Sequence, residues 1–177
     1  MKKVRILTGL ILLAVLLSSH WFRISVRIPF KGDGDTNMAV TFAEWRKGTS
    51  MLKERLTEGD FVLSTVPLLS RFYGVEASAN LNQSLLDQAQ YEKFRDSQGR
   101  WVDVYLGLEC IESAEELDKV IQDNEEGWVI GERYHFNSPQ YISREIRDIL
   151  FGRMGEPLST GKGTLWIFHW KNPESVH

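Results

Sequence analysis

The sequence contains a single cysteine, Cys110, so no disulfide can form within the chain. This cysteine lies in the apolar run VYLGLECI, which favours a buried thiol that packs as a small hydrophobic side chain. An excess of positive charge is also lacking, because the formal net charge is −3. A protein that binds nucleic acid needs a basic surface, so we expect no nucleic-acid partner.

Motifs for metal ions and for nucleotide phosphates are lacking too. The four histidines show no paired ligand spacing, so we expect no metal site. The stretch GEPLSTGKGT has one residue too many between its first two glycines for a phosphate-binding loop. Gly163 also stands where a Ser or Thr would have to reach Mg²⁺, and a strand pattern follows. We interpret the stretch as a turn and expect no cofactor.

An uncharged run, ILTGLILLAVLLSSHWF, follows the basic start MKKVR and is about long enough to span a bilayer. The cations before it place the N-terminus in the cytoplasm by the positive-inside rule. We therefore divide the chain into a cytoplasmic N-terminus with one transmembrane helix (1–23), a linker (24–40) and an extracytoplasmic domain (41–177). A cleaved signal peptide is the alternative, but the bulky residues after Ser19 favour an uncleaved anchor.

The rest of the chain alternates strand-like and helix-like segments, with 42% hydrophobic residues to form a core. This alternation predicts an α/β domain with a small, largely parallel sheet flanked by helices. Strands are predicted at 61–65, 101–111, 126–136 and 163–170, and helices at 41–56, 68–73, 113–124 and 138–154. The expected buried strand residues are Phe61, Val62, Leu63, Val129, Ile130, Trp166 and Ile167.

Helix starts are indicated by two serines. Ser113 with Glu116 three positions later predicts a capping box. Ser138 followed by Pro139 predicts the start of the last helix.

Polar residues occur where two of the predicted strands end or continue. Ser64 and Thr65 close the first strand, and Glu132 and Arg133 lie in the strand GWVIGERYHF. Ligands approach an open parallel sheet at its carboxyl edge, so these four residues are candidates to bind a sugar or a pyrophosphate. The alternative interpretation is structural: the hydroxyls cap the next helix, and the charged residues form a surface ion pair.

Several stretches together carry a resemblance to a known family. The apolar span, an amphipathic helix, GDFVLSTVP, GRWVDVYLG, SAEELDKVI, GWVIGERYHF and GTLWIFHW follow one another in this order. From about Ala43 to Trp170 the chain resembles the C-terminal extracytoplasmic domain of polytopic membrane glycosyltransferases related to dolichyl-phosphate-mannose-protein mannosyltransferases.

The resemblance implies a small α/β domain packed against a membrane transferase core that uses polyprenyl-phosphate-linked sugars. The family's catalytic acidic residue lies in an early extracytoplasmic loop between membrane helices, and this sequence contains no such loop. We therefore expect an accessory or separated C-terminal domain without catalytic residues of its own, whose partners are membrane lipid, a polytopic core and a polyprenyl-linked sugar. An independent membrane-anchored ligand-binding module is the alternative.

The charge asymmetry around the apolar run generates a topology prediction. Reporter fusions after Phe30 and at the C-terminus should both be active outside the cytoplasm, because the cations lie only on the N-terminal side of the run. Alkaline phosphatase activity, compared with a cytoplasmic reporter at the same positions, measures this. Cytoplasmic activity of either fusion would contradict the predicted orientation.

Overall fold

A computed structural model of the chain describes residues 38–83, 95–103 and 105–172. The predicted transmembrane helix and most of the predicted linker, residues 1–37, lie outside these residues. Among the helices of the described part, none is both long and apolar enough to cross a membrane.

The helices are α1 (Met38–Lys53), α2 (Pro67–Phe72), α3 (Ala114–Asp123), α4 (Arg133–Asn137) and α5 (Arg144–Met154). The strands are β1 (Phe61–Ser64), β2 (Ala79–Asn80), β3 (Glu126–Glu132), β4 (Leu158–Ser159) and β5 (Leu165–Lys171). Helix α1 begins inside the predicted linker and ends three residues earlier than predicted.

The five strands form one mixed sheet in the order β2-β1-β3-β5-β4. Strand β1 pairs in parallel with β2 and β3, whereas β5 pairs antiparallel with β3 and β4. The predicted α/β class is confirmed, but the prediction of a largely parallel sheet is wrong. Strand β4 consists of two exposed residues, so no alternation of apolar and polar residues marks it in the sequence. The turn after β4 reverses the chain, and β5 therefore lies antiparallel to β3.

Side chains of the sheet alternate between two cores, as the pleat of a strand requires. Helix α1 covers one face, where Trp45 and Leu52 pack against Val62, Trp128, Ile130 and Ile167. Helices α3 and α5 cover the other face and pack against Leu63, Val129 and Phe168. The predicted burial is confirmed for Val62, Leu63, Val129, Ile130 and Ile167, whereas Phe61 and Trp166 are only partly buried.

The two predicted helix starts have different outcomes. The Ser113 hydroxyl accepts from the backbone N–H of Glu116, as predicted, but the Glu116 carboxylate accepts from the N–H of Glu112 rather than from Ser113. The last helix begins at Arg144, and its cap is Ser143. The predicted start at Ser138 is wrong, because residues 138–141 close a turn in which the Tyr141 N–H donates to the Ser138 carbonyl.

The segment WVDVYLGLECI is not the strand that its apolar residues predict. The Asp103 carboxylate accepts from the backbone N–H groups of Tyr105 and Leu106, and Gly107 adopts a φ of 69°. These features fold the chain back, so that Val102 and Glu109 form only an isolated antiparallel bridge. Cys110 is buried after this turn, as expected.

The close approach of Trp170 to the backbone of β3 generates a stability prediction. A Cβ at Gly127 would lie 2.1 Å from Trp170 Cζ2 and 2.7 Å from the Phe61 carbonyl oxygen. Gly127→Ala should therefore lower the free energy of unfolding by about 1–3 kcal/mol, as overpacking of a core does. Denaturant unfolding followed by near-ultraviolet circular dichroism measures this.

Gly152→Ala is the matched control. This glycine lies in α5, and a Cβ there would meet no atom within 4 Å. The substitution should raise the free energy of unfolding by up to about 1 kcal/mol, because alanine is the better helix former. Equal effects of the two substitutions would contradict the packing described for Gly127.

Candidate functional site

Four chain segments meet at one edge of the sheet. Strands β1, β2 and β3 are parallel, so their carboxyl ends lie at the same edge. Strand β5 is antiparallel to β3, and Leu165 at its start pairs with Glu132 at the end of β3. The turn before β5 therefore reaches the same edge. Of the candidate residues, the structure thus brings Ser64 and Thr65 together with Glu132 and Arg133.

Thr65 forms the centre of a buried polar cluster. Its hydroxyl lies 2.9 Å from Nδ1 of His135 and accepts from the backbone N–H of Glu132 at 3.4 Å. Only a glycine at position 131 leaves room for it, because a Cβ there would lie 2.5 Å from Thr65 Oγ1. Thr65 is 1% exposed and His135 is 3% exposed. Solvent and substrates therefore do not reach this hydroxyl–imidazole pair.

Burial also sets the protonation of His135. Desolvation lowers the pKa of its imidazole to about 3, so the ring is neutral at physiological pH. The rings of Tyr134 and Tyr141 pack around it at 4.1 and 4.5 Å between centroids. The imidazole is thus enclosed by aromatic side chains and held in place by Thr65.

Glu132 is buried beside the Thr65 cluster. The indole N–H of Trp45 donates to its carboxylate at 2.8 Å, and Tyr134 also hydrogen-bonds to it. Burial raises the pKa of Glu132 above its ordinary value, and the hydrogen bonds from Trp45 and Tyr134 partly oppose this shift. The carboxylate therefore joins α1 to the end of β3.

Ser64 is also buried, and its partners lie within the same connection. Its hydroxyl hydrogen-bonds to that of Ser70 at 2.6 Å and accepts from the backbone N–H of Val66 at 3.1 Å. The N-cap position of α2 is Val66, which makes no side-chain cap. The predicted capping of α2 by Ser64 or Thr65 is therefore wrong, since Ser64 instead braces the turn that leads into the helix.

Arg133 is the exposed member of the predicted set. It begins α4, and its backbone N–H donates to the Thr164 carbonyl at 2.8 Å. The predicted strand therefore ends at Glu132. The predicted ion pair between Glu132 and Arg133 is wrong, because Arg133 makes no salt bridge within the described part of the chain. Glu132 instead bonds to Trp45 and Tyr134. The Arg133 side chain lies near Gly163, which belongs to the turn between β4 and β5.

Among the described residues of this region, there is neither an ionised thiol nor a metal-binding cluster. Burial raises the pKa of the Cys110 thiol to about 12, so the thiol stays protonated and unreactive. Among the described residues, no three His, Cys, Asp or Glu side chains come close enough to hold a metal ion. The edge therefore combines an interior network of mutually bonded polar groups with an exposed arginine.

Sequence reasoning missed three members of the network, namely Trp45, Tyr134 and His135. Tyr134 and His135 follow the two candidate residues directly, but the pattern GWVIGERYHF predicts a strand through all of them. The change to helix at Arg133 is what turns His135 toward Thr65. The local sequence around Trp45 does not indicate that its partner is Glu132, which lies 87 positions away.

The Thr65 hydroxyl generates a stability prediction. Thr65→Val keeps the shape but leaves Nδ1 of His135 and the N–H of Glu132 without this partner. We expect the free energy of unfolding to fall by about 1–3 kcal/mol, the cost of leaving buried polar groups unsatisfied. Thr164→Val is the matched control, because Thr164 Oγ1 is buried and has no hydrogen-bond partner among the described residues.

Chemical denaturation of both variants measures the difference. Thr164→Val should leave the stability unchanged or raise it, since no hydrogen bond is lost. A comparable loss in both variants would show that the Thr65 hydroxyl has no special role.

Comparison of the chain with protein-family models, with curated proteins and with solved structures finds no match in any of the three. The resemblance to membrane glycosyltransferases therefore rests on the sequence stretches alone.

Proposed function

We propose that this chain is an accessory or separated C-terminal domain of a membrane glycosyltransferase that uses polyprenyl-phosphate-linked sugars, and that it is not catalytic alone. In this proposal a single N-terminal span anchors the chain with its N-terminus in the cytoplasm and its α/β domain outside. If the assembly is a mannosyltransferase-like enzyme, its catalytic residues belong to the polytopic core.

One observation carries the non-catalytic part of the proposal. The side chains that would be candidates for acid–base or nucleophilic work at the carboxyl edge are buried and bonded to one another. Thr65 bonds to His135, Glu132 bonds to Trp45, and each is less than a tenth exposed. A general acid or base must reach the proton that it transfers within hydrogen-bond distance of the substrate. These groups instead join the strands, α1 and α4.

The positions of the resembling stretches also support an intact domain. GDFVLSTVP contains β1, SAEELDKVI covers most of α3, GWVIGERYHF spans β3 and the start of α4, and GTLWIFHW covers most of β5. The described residues of GRWVDVYLG instead form isolated bridges and the turn held by Asp103. The resemblance therefore follows three strands of the sheet and one covering helix, but not this stretch.

An exposed apolar pair fits a domain that contacts a partner. Leu68 and Phe72, one helical turn apart on α2, are 45% and 75% exposed. Helix α2 begins at the end of β1, so the pair lies beside the carboxyl edge. Packing against a polytopic core would remove this surface from water.

An independent membrane-anchored ligand-binding module is the second candidate. The observation that favours it is the exposure of two cations at the same edge, Arg133 at the start of α4 and Lys162 in the turn between β4 and β5. A neighbouring gene for a polytopic protein that lacks its own C-terminal α/β domain would favour the accessory role. An isolated gene would favour the module.

The proposal generates an activity prediction. The purified full-length chain, reconstituted in lipid with polyprenyl-linked sugars and acceptor peptides, should transfer no sugar above background. The physical reason is that the carboxylate and the hydroxyls of the edge are enclosed and cannot activate an acceptor. Radiolabelled sugar transferred to the acceptor measures this, and a complete polytopic transferase in the same vesicles is the positive control.

Turnover by the chain alone would contradict the proposal if it disappeared in Glu132→Ala or Arg133→Ala. Such a result would place the chemistry at the strand ends. Turnover that persisted in both variants would indicate a contaminating transferase, which a mock purification would then also show.

A further inference from the structure

The turn between β4 and β5 is held firmly in place. It spans Thr160 to Gly163, and the Gly163 N–H donates to the Thr160 carbonyl at 2.7 Å. The Glu44 carboxylate of α1 accepts from the Thr160 hydroxyl and from the Lys162 N–H. Glu44 thus fixes the turn to α1 by two hydrogen bonds.

Three exposed cations, each from a different segment, belong to this turn or to the elements beside it. Lys162 belongs to the turn, Lys47 comes from α1 and Arg133 from the start of α4. A Cβ at Gly161 would lie 2.8 Å from Lys47 Nζ, and a Cβ at Gly163 would lie 3.9 Å from Arg133 Nη1. The two glycines therefore present bare backbone directly beside the cations.

The charges of these cations are not neutralised by ion pairs. Within the described ranges, Lys47, Arg133 and Lys162 take part in no salt bridge. Two carboxylates are close, but Glu44 bonds to the turn itself and Glu132 is buried against Trp45. A net positive surface therefore remains around a fixed backbone turn.

We propose that Lys47, Arg133 and Lys162 bind the phosphate group of a ligand at this turn. An arginine offers paired donors to a phosphate, and lysines add point charges, so cations from three segments at one turn suit a dianion. The site differs from a nucleotide phosphate loop, because a strand and not a helix follows the glycines. That the phosphate belongs to a polyprenyl lipid rests on the proposed function.

Titration calorimetry of the full-length chain in neutral detergent tests the site. The probes are inorganic pyrophosphate, a free anion, and farnesyl phosphate, a lipid phosphate in the same micelles, with farnesol as the uncharged reference. We expect saturable binding of at least one phosphate probe, weakened by added salt, and no specific binding of farnesol. Preference between the two probes identifies the source of the phosphate.

The deciding comparison uses two double variants with the same change of charge. Lys47→Gln with Arg133→Gln should weaken phosphate binding by about tenfold or more, because two charge-assisted contacts are lost. Lys119→Gln with Arg147→Gln on α3 and α5, which cover the opposite face of the sheet, should leave affinity within about twofold. Thermal unfolding of both variants checks that the fold is retained.

Absence of saturable binding, or an equal loss of affinity in the two double variants, would overturn the proposal. The titrations contain no sugar donor or acceptor, so their outcome is independent of the transfer assay. A preference for pyrophosphate over farnesyl phosphate would leave this site standing and remove only the lipid assignment.

Discussion

Strand β3 is paired on both sides, in parallel with β1 and antiparallel with β5, and six of its seven residues are buried. A central strand bonds most of its backbone donors and acceptors to its two neighbours, and beyond the end of β1 the Glu132 N–H donates to the Thr65 hydroxyl. Both of its faces then need cover, which the helices supply in two layers. The arrangement of the whole domain follows from this central strand.

The same strand explains why the polar residues at its end are enclosed. Glu132 is its last residue, so its side chain emerges under α1 and meets the indole of Trp45. Thr65 directly follows the neighbouring parallel strand β1 and lies beside Glu132. Helix α4 contributes His135, which bonds to Thr65. The side chains of Thr65, Glu132 and His135 each have a protein partner, as groups removed from water require. Groups that would otherwise be candidates for catalysis therefore bond the elements of this edge to one another.

The carboxyl edge of the sheet carries two kinds of polar group: enclosed side chains that bond to one another, and exposed cations that face solvent. The turn between β4 and β5 is bonded to Glu44 of α1, and the start of α4 is bonded to the Thr164 carbonyl. These two segments carry Lys162 and Arg133, whose side chains are exposed. We therefore propose ligand binding rather than catalysis at this edge.

Local sequence signals determined the class and most of the elements of this protein. Apolar runs identify β1, β3 and β5, because strands covered on both faces bury most of their side chains, and near-helical spacings identify the positions of α1 and α3. Ser113 marks a helix start because its hydroxyl bonds within the same turn. The edge position of Ser64 and Thr65 also follows from parallel pairing of β1 and β3, which the alternation of strands and helices predicts.

Only the tertiary structure decided the direction of β5, the end of β3 and the partners of the candidate residues. The direction of β5 depends on β4, whose two exposed residues leave no pattern in the sequence. The apolar residues of RYHF fit either a strand or a helix, and contacts of Phe136 with the core accompany the helix. Trp45 and Glu132 are distant in sequence, and so are Lys47 and Gly161. Such pairs are brought together by the packing of α1 on the sheet, which no local spacing encodes.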